Sequence, residues 1–375
     1  MSADDLNEKW ELTVSDRDDD ELATRLTQWL AGKVESDTPP RVTSLTHPQA
    51  GGMSSATLLF DAEWTENGQP AGGSFVARLA PEADSFPVFE KYDLGGQFAI
   101  MAAVTEATDL PIPPLCWFEA DDSVLGSPFL VMRRVGGQAP SDNPPYVFTG
   151  WLYDATPEQR LEITRNTVDV IARIHAIENP AARLPHLDGE GPALRRHLDA
   201  QKRWYAWALT DDGYNIPILD RAFQWLEDNF PEHPTADVLS WGDARPGNIM
   251  FEGLTPNAVL DWEMAAIGPR ELDVAWTLLI HRFFQDMATK YGQPGVPDYM
   301  RRSDVEKLYT EATGHTLQDL DWYLTYAALR HGVVMARIWR RMIHFGETTE
   351  PENRDEFVMH ADLIEALLDG TYDWD

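Results

Sequence analysis

Cysteine is almost absent from this 375-residue chain. The single Cys116 excludes an internal disulfide, and no cluster of Cys and His has the spacing of a zinc site. Any metal is therefore expected on oxygen ligands. Long apolar runs are missing too: no stretch approaches the roughly 18 residues that a membrane-spanning helix needs. The opening Met1-Ser2-Ala3-Asp4-Asp5 has neither the basic start nor the apolar run of a signal peptide. A cytoplasmic protein is expected. Positive charge is scarce, with 30 Lys and Arg against 62 Asp and Glu, a formal charge of -32. Such a field repels phosphate backbones and anionic lipid, which argues against nucleic-acid and membrane partners. No G-x-S-x-G segment is present, which removes the serine-hydrolase elbow.

What remains is a balanced composition, 43% hydrophobic and 25% charged, in a chain long enough for two cores. Asp18 to Val34 opens on acids and continues with Leu22, Leu26, Trp29 and Leu30 at helical spacing. Strand formers follow at Ala56–Trp64 and Ser74–Leu79 around the turn-like Asn67-Gly68. A helix over about 92–106 leads to two more strand candidates, Leu115–Glu119 and Pro128–Val135. The run Gly136-Gly137-Gln138-Ala139-Pro140 and the polar, proline-rich 141–145 read as a linker. The lobe boundary is placed there, giving residues 1–136 and 137–375. Beyond it helices are expected over 157–177, 192–209, 216–229, 270–286, 303–313, 317–345 and 354–369, interrupted by short strands at 248–251 and 258–262.

The chemistry concentrates in the second half. In Trp241-Gly242-Asp243-Ala244-Arg245-Pro246-Gly247-Asn248, Asp243 precedes Asn248 by five positions. This is the spacing at which phosphoryl-transfer enzymes of the kinase type set an Asp to orient the attacking hydroxyl and an Asn to reach the metal. Arg245 stands between them, where a cation faces the transferring group. Eighteen residues after Asp243, the apolar Val259-Leu260 ends in Asp261, a second oxygen ligand candidate for magnesium. Either half alone is an ordinary turn; the two together, with a strand pair between them, point to chemistry.

Residues 239–250, with Leu260-Asp261-Trp262-Glu263-Met264-Ala265-Ala266-Ile267-Gly268-Pro269 and Leu272-Asp273-Val274-Ala275, resemble the aminoglycoside phosphotransferase family. The closer likeness is to its branch found as the kinase-like domain of acyl-CoA dehydrogenase 10 and 11 type proteins, from about Leu45 onward. The resemblance implies an α+β, protein-kinase-like two-lobed fold, with a small antiparallel-sheet N-lobe and a mainly helical C-lobe. It implies ATP and Mg2+ as cofactors and a small hydroxylated molecule, best a hydroxyacyl-CoA, as acceptor; an aminoglycoside acceptor and a catalytically idle binding protein are the alternatives. It further implies Asp243 as base, Asn248 and Asp261 as magnesium ligands, Asp273 as a brace of the catalytic loop and His175 as its packing support. In the N-lobe it sets Gly51, Gly52, Ser54 and Ser55 over the nucleotide phosphates and Arg78 at the place of the kinase lysine. Gln97 stands where relatives commonly carry the glutamate partner of that cation. A helix over 317–345 carries Arg330, Arg337 and Arg341 at offsets of seven and four, on one face below Tyr323, a candidate surface for an anionic substrate.

Overall fold

The computed structural model describes residues 18–48, 56–81 and 85–375. The chain divides into two compact units, one of Met1–Pro87, Lys91–Ala102 and Ile112–Gly136, the other of Val88–Glu90, Ala103–Pro111 and Gly137–Asp375.

The first unit is a five-stranded antiparallel sheet in the order β1-β2-β3-β5-β4, from β1 (Thr38–Thr46), β2 (Ala56–Glu66), β3 (Gln69–Leu79), β4 (Leu115–Glu119) and β5 (Phe129–Arg133). Helix α1 (Asp19–Leu30) starts where the Asp18 side chain accepts from the backbone N–H groups of Asp20 and Glu21 at 2.9 and 3.0 Å, with acids in its first turn. Both effects satisfy and complement the positive helix end. Its apolar stripe, Leu22, Leu26, Trp29 and Leu30, is buried with Phe60, Phe75 and Phe129 of the sheet. Hairpin β2–β3 turns at Asn67-Gly68, both at positive φ (53° and 72°), the pair that matches strand twist in a two-residue loop. Sequence patterning misses β1, whose Pro39 and Pro40 break the strand signal. As an edge strand, β1 tolerates the missing donors. Helix α2 (Leu94–Ala107) follows.

The second unit is built around α3 (Pro157–His175), α4 (Ala193–Ala208), α5 (Pro217–Asp228), α6 (Glu271–Lys290), α7 (Arg302–Thr313), α8 (Leu320–His344) and α9 (Ala361–Leu368). A reciprocal capping box of Thr156 and Gln159, with Pro157 in the first turn, sets the start of α3. The single helix expected over 354–369 is instead a 3-10 turn, Arg354–Phe357, followed by α9. Two small antiparallel pairs were inserted among these helices. Strands β7 (Ile249–Glu252) and β8 (Thr255–Val259) form a hairpin, with β8 three residues earlier than the strand expected over 258–262, and β6 (Asp237–Ser240) pairs with β9 (Ala266–Pro269). At four residues each, β6 and β9 are too short for periodicity to reveal. Among the described residues no helix is long and apolar enough to cross a membrane.

Candidate active site

Strand β6 delivers the chain to Trp241-Gly242-Asp243, and the turn there is possible only with glycine. Gly242 has φ 88°, and a Cβ on it would lie 2.0 Å from the Met264 carbonyl oxygen. Trp241, fully buried, donates through Nε1 to the carbonyls of Leu260 (2.9 Å) and Asp261 (3.1 Å) and packs on Trp262. The indole thus ties the Asp243 loop to the segment that carries Asp261.

Asp273, in the first turn of α6 and 1% exposed, braces this loop. Its Oδ1 accepts from Ser240 Oγ (2.7 Å) and the Gly242 N–H (2.8 Å), and its Oδ2 from the Trp241 N–H (2.7 Å) and His175 Nε2 (2.9 Å). Burial pushes the Asp273 carboxyl upward, but the His175 bond, with Ser240 and the Gly242 amide, outweighs it and holds the group below the usual carboxylate range. His175 Nδ1 lies 2.7 Å from the Tyr309 hydroxyl. The ring is thus held at both nitrogens, between the Asp273 carboxylate and the tyrosine hydroxyl.

Asp243 sits at the end of this scaffold with a side chain 13% exposed. Trp276 Nε1 donates to its Oδ1 at 2.6 Å, Asn248 Nδ2 to its Oδ2 at 2.6 Å, and Arg245 Nε lies 3.2 Å from both oxygens. Arg245 is itself held by Asp142 at 2.6 Å, and Thr277 Oγ1 donates to the Ala244 carbonyl. An oriented, partly exposed carboxylate of this kind can align a hydroxyl and take its proton. Because Asn248 Nδ2 also donates to the Asp243 carbonyl (3.0 Å), its two amide protons are directed at Asp243, which turns its Oδ1 away from that carboxylate. The Leu260 N–H donates to the Asn248 carbonyl (2.9 Å), joining β7 to the strand end where Asp261 stands in the left-handed region, φ 59°. The Asn248 amide oxygen and the Asp261 carboxylate are the hard oxygen donors that magnesium takes, so the donor chemistry fits that ion.

The structure therefore brings Asp243, Arg245, Asn248, Asp273 and His175 into one hydrogen-bonded assembly, with Asp261 joined to it through backbone. Sequence reasoning omitted Trp276, Asp142, Ser240 and Thr277. Trp276 lies three residues after Asp273 on the same helix face, a spacing that carries the signal. Asp142 lies in the proline-rich linker, where nothing marks it. The expected residues of the first unit are Arg78, half-buried on β3 opposite Thr57 and Leu130, and Gln97, 5% exposed in the first turn of α2. Gly51, Gly52, Ser54 and Ser55 lie outside the described residues. On α8, Arg330 Nη1 donates to the Gly242 carbonyl (3.3 Å) and its guanidinium lies over Trp276. Arg337 donates to the Ala208 carbonyl and stacks on Trp207, Arg341 lies over Phe345, and all but 1% of Tyr323 is buried.

A family model described as the phosphotransferase enzyme family matches residues 50–302. Acyl-CoA dehydrogenase family member 10 of Mus musculus is 26% identical over 286 residues, covering 73% of this chain; the chain spans only 25% of the mouse protein's length. A Ralstonia eutropha structure provisionally assigned as an aminoglycoside phosphotransferase superposes with a TM-score of 0.64 at 22% identity, covering 92% of this chain and 96% of its own. A thermostable mutant of aminoglycoside phosphotransferase APH(4)-Ia, in ternary complex with AMP-PNP and hygromycin B, gives a TM-score of 0.53 at 16% identity, covering 92% and 98%. The two superpositions carry the α+β, kinase-like fold expected from the sequence.

Proposed function

The chain belongs to the phosphotransferase enzyme family and is a small-molecule phosphotransferase; on that premise we propose that it moves the terminal phosphoryl group of ATP onto a hydroxyl of a hydroxyacyl-CoA or a similar metabolite. The observation that carries this reading is the Asp243 carboxylate, fixed by Trp276, Asn248 and Arg245 on a loop whose backbone is braced by Asp273. Asp243 orients the acceptor hydroxyl and takes its proton as the oxygen attacks. Asn248 and Asp261 would hold Mg2+, which supplies charge neutralisation at the β- and γ-phosphates. Arg78 and the 51–55 glycine-serine segment would position the triphosphate, with Gln97 as a neutral hydrogen-bond acceptor for Arg78. Positioning and electrostatics supply the rate, as this reaction leaves little covalent work to the protein.

The choice of acceptor rests on the mouse relative, whose name places it among acyl-CoA dehydrogenases. The net charge of -32 favours a second reading, a polycationic antibiotic as acceptor. One screen separates them. ADP release with ATP and Mg2+ is measured against hydroxyacyl-CoAs, simple alcohols and aminoglycosides. Release on the first class alone supports the proposal, release on aminoglycosides alone replaces it, and nucleotide binding with no release on any class leaves an idle kinase-like binding protein.

A further inference from the structure

Arg330 is set apart from most arginines of this chain by what surrounds it. Arg160, Arg195, Arg221, Arg245, Arg302 and Arg340 are each paired with a carboxylate. In a chain with twice as many acids as bases, that is the ordinary outcome. Among the described residues Arg330 bonds instead to a backbone carbonyl, that of Gly242, at a long 3.3 Å, and its guanidinium lies over an indole, 5.0 Å from the Trp276 ring centre. Its Nε is buried and has no hydrogen-bond partner among the described residues. A guanidinium has five N–H donors, and a buried one left unmade is costly unless something arrives to accept it.

The neighbours of Arg330 are those of the reacting centre. Gly242 precedes Asp243, and the Trp276 ring on which Arg330 stacks donates to the Asp243 carboxylate. On the same indole, His331 meets the ring edge-on at 6.0 Å, and its buried Nδ1 also lacks a partner among the described residues. Burial holds His331 neutral, with His360 and Arg245 adding to the effect, so the ring presents hydrogen-bonding capacity without a second positive charge. Two unsatisfied polar groups thus flank the tryptophan that orients Asp243, and only Arg330 of the two is charged.

We propose that Arg330 is the acceptor-recognition residue of this site: it binds an anionic group, carboxylate or phosphate, on the molecule whose hydroxyl meets Asp243, with His331 Nδ1 available to a neutral polar group of the same molecule. The proposal rests on the phosphotransferase reading of Asp243. Against the chain's net negative charge, Arg330 supplies a local positive charge beside the reacting centre, where it bears directly on the affinity for such an acceptor. A fork-shaped guanidinium suits a planar carboxylate or a phosphate with two parallel bonds, which a lysine does not reproduce.

The test is a binding measurement that does not depend on turnover. Calorimetry on the whole chain with AMP-PNP and Mg2+ compares 3-hydroxybutyryl-CoA, the neutral 3-hydroxybutyryl-pantetheine and free 3-hydroxybutyrate, for the unaltered protein, Arg330→Gln and Arg330→Lys. The expected result is an affinity loss of about 10- to 100-fold in Arg330→Gln for the anionic ligands and a much smaller loss for the neutral thioester, with partial recovery in Arg330→Lys. Loss on the CoA ester alone assigns the anion to its phosphates; loss on free hydroxybutyrate assigns it to a carboxylate. Equal losses on all three ligands, or an unchanged Kd with a lower kcat, would make Arg330 a positioning residue acting through Trp276 and overturn the proposal. Failure of the unaltered protein to bind either anionic ligand would overturn it as well. Binding without ADP release would instead leave Arg330 in place and reject the phosphotransfer reading, so the two failures stay distinct.

Discussion

Replacing Asp273 by asparagine changes one buried oxygen into an amide nitrogen with almost no change in volume, and the hydrogen bonds around it fix the consequence. Each carboxylate oxygen accepts from two donors, one of them a backbone N–H. Ser240 can rotate its hydroxyl, and His175 can change tautomer, so either side chain can accommodate an NH2 group. The Gly242 and Trp241 amides cannot. Whichever way the new amide turns, one buried backbone N–H faces a donor, at a cost of about 1–3 kcal/mol, and three charge-assisted bonds lose their charge. Asp273→Asn is therefore expected to lose about 2–4 kcal/mol in urea unfolding followed by tryptophan fluorescence, with kcat reduced because the displaced backbone carries Asp243. Asp273→Ala, which removes all the acceptors, is expected to cost more, about 3–5 kcal/mol. A loss below about 1 kcal/mol with unchanged turnover in Asp273→Asn would refute the brace.

Gly242→Ala forces a Cβ to within 2.0 Å of a backbone oxygen at a left-handed φ, so a loss of at least about 2 kcal/mol is expected, and a Tm equal to that of the unaltered chain would contradict it. The buried histidines make a separate prediction about pH. Burial, the largest cause in each case, depresses His281 to about 3, His197 and His360 to about 4, and His331 well below its ordinary value. Such groups fold neutral and charge on unfolding, so their contribution is complete above the unfolded value of about 6.5 and is lost as pH falls toward the folded values. Each is expected to cost about 1 kcal/mol at pH 5.5 relative to pH 7.5, read as a falling urea midpoint; a midpoint flat across that window would mean that the rings take up protons in the fold as readily as in the unfolded chain.

The part of the site legible in the sequence was the part confined to one stretch of chain. Asp243, Asn248 and Asp261 lie on a loop and the hairpin after it, so their spacing is itself geometry. Trp276 and Asp142 reach Asp243 and Arg245 through tertiary packing, and an indole or a linker aspartate carries no local mark of that role. The same limit applies to α8: offsets of seven and four place Arg330, Arg337 and Arg341 along one face, but periodicity does not say what covers it. The fold finds Trp207 and the Ala208 carbonyl over Arg337, and the catalytic loop beside Arg330. In the sheet, hairpin β2–β3 was announced by Asn67-Gly68, whereas β1, β6 and β9 were hidden by prolines or by brevity.

The central claim is that Asp243 takes the acceptor proton during phosphoryl transfer. It is tested most directly by Asp243→Asn, which keeps an oxygen for Trp276 or Asn248 while removing the base. With ATP, Mg2+ and whichever acceptor the unaltered chain turns over, ADP release is expected to fall about 100- to 10,000-fold, with AMP-PNP binding retained. Release within a few-fold of the unaltered rate, in a variant that binds nucleotide equally well, would contradict the account.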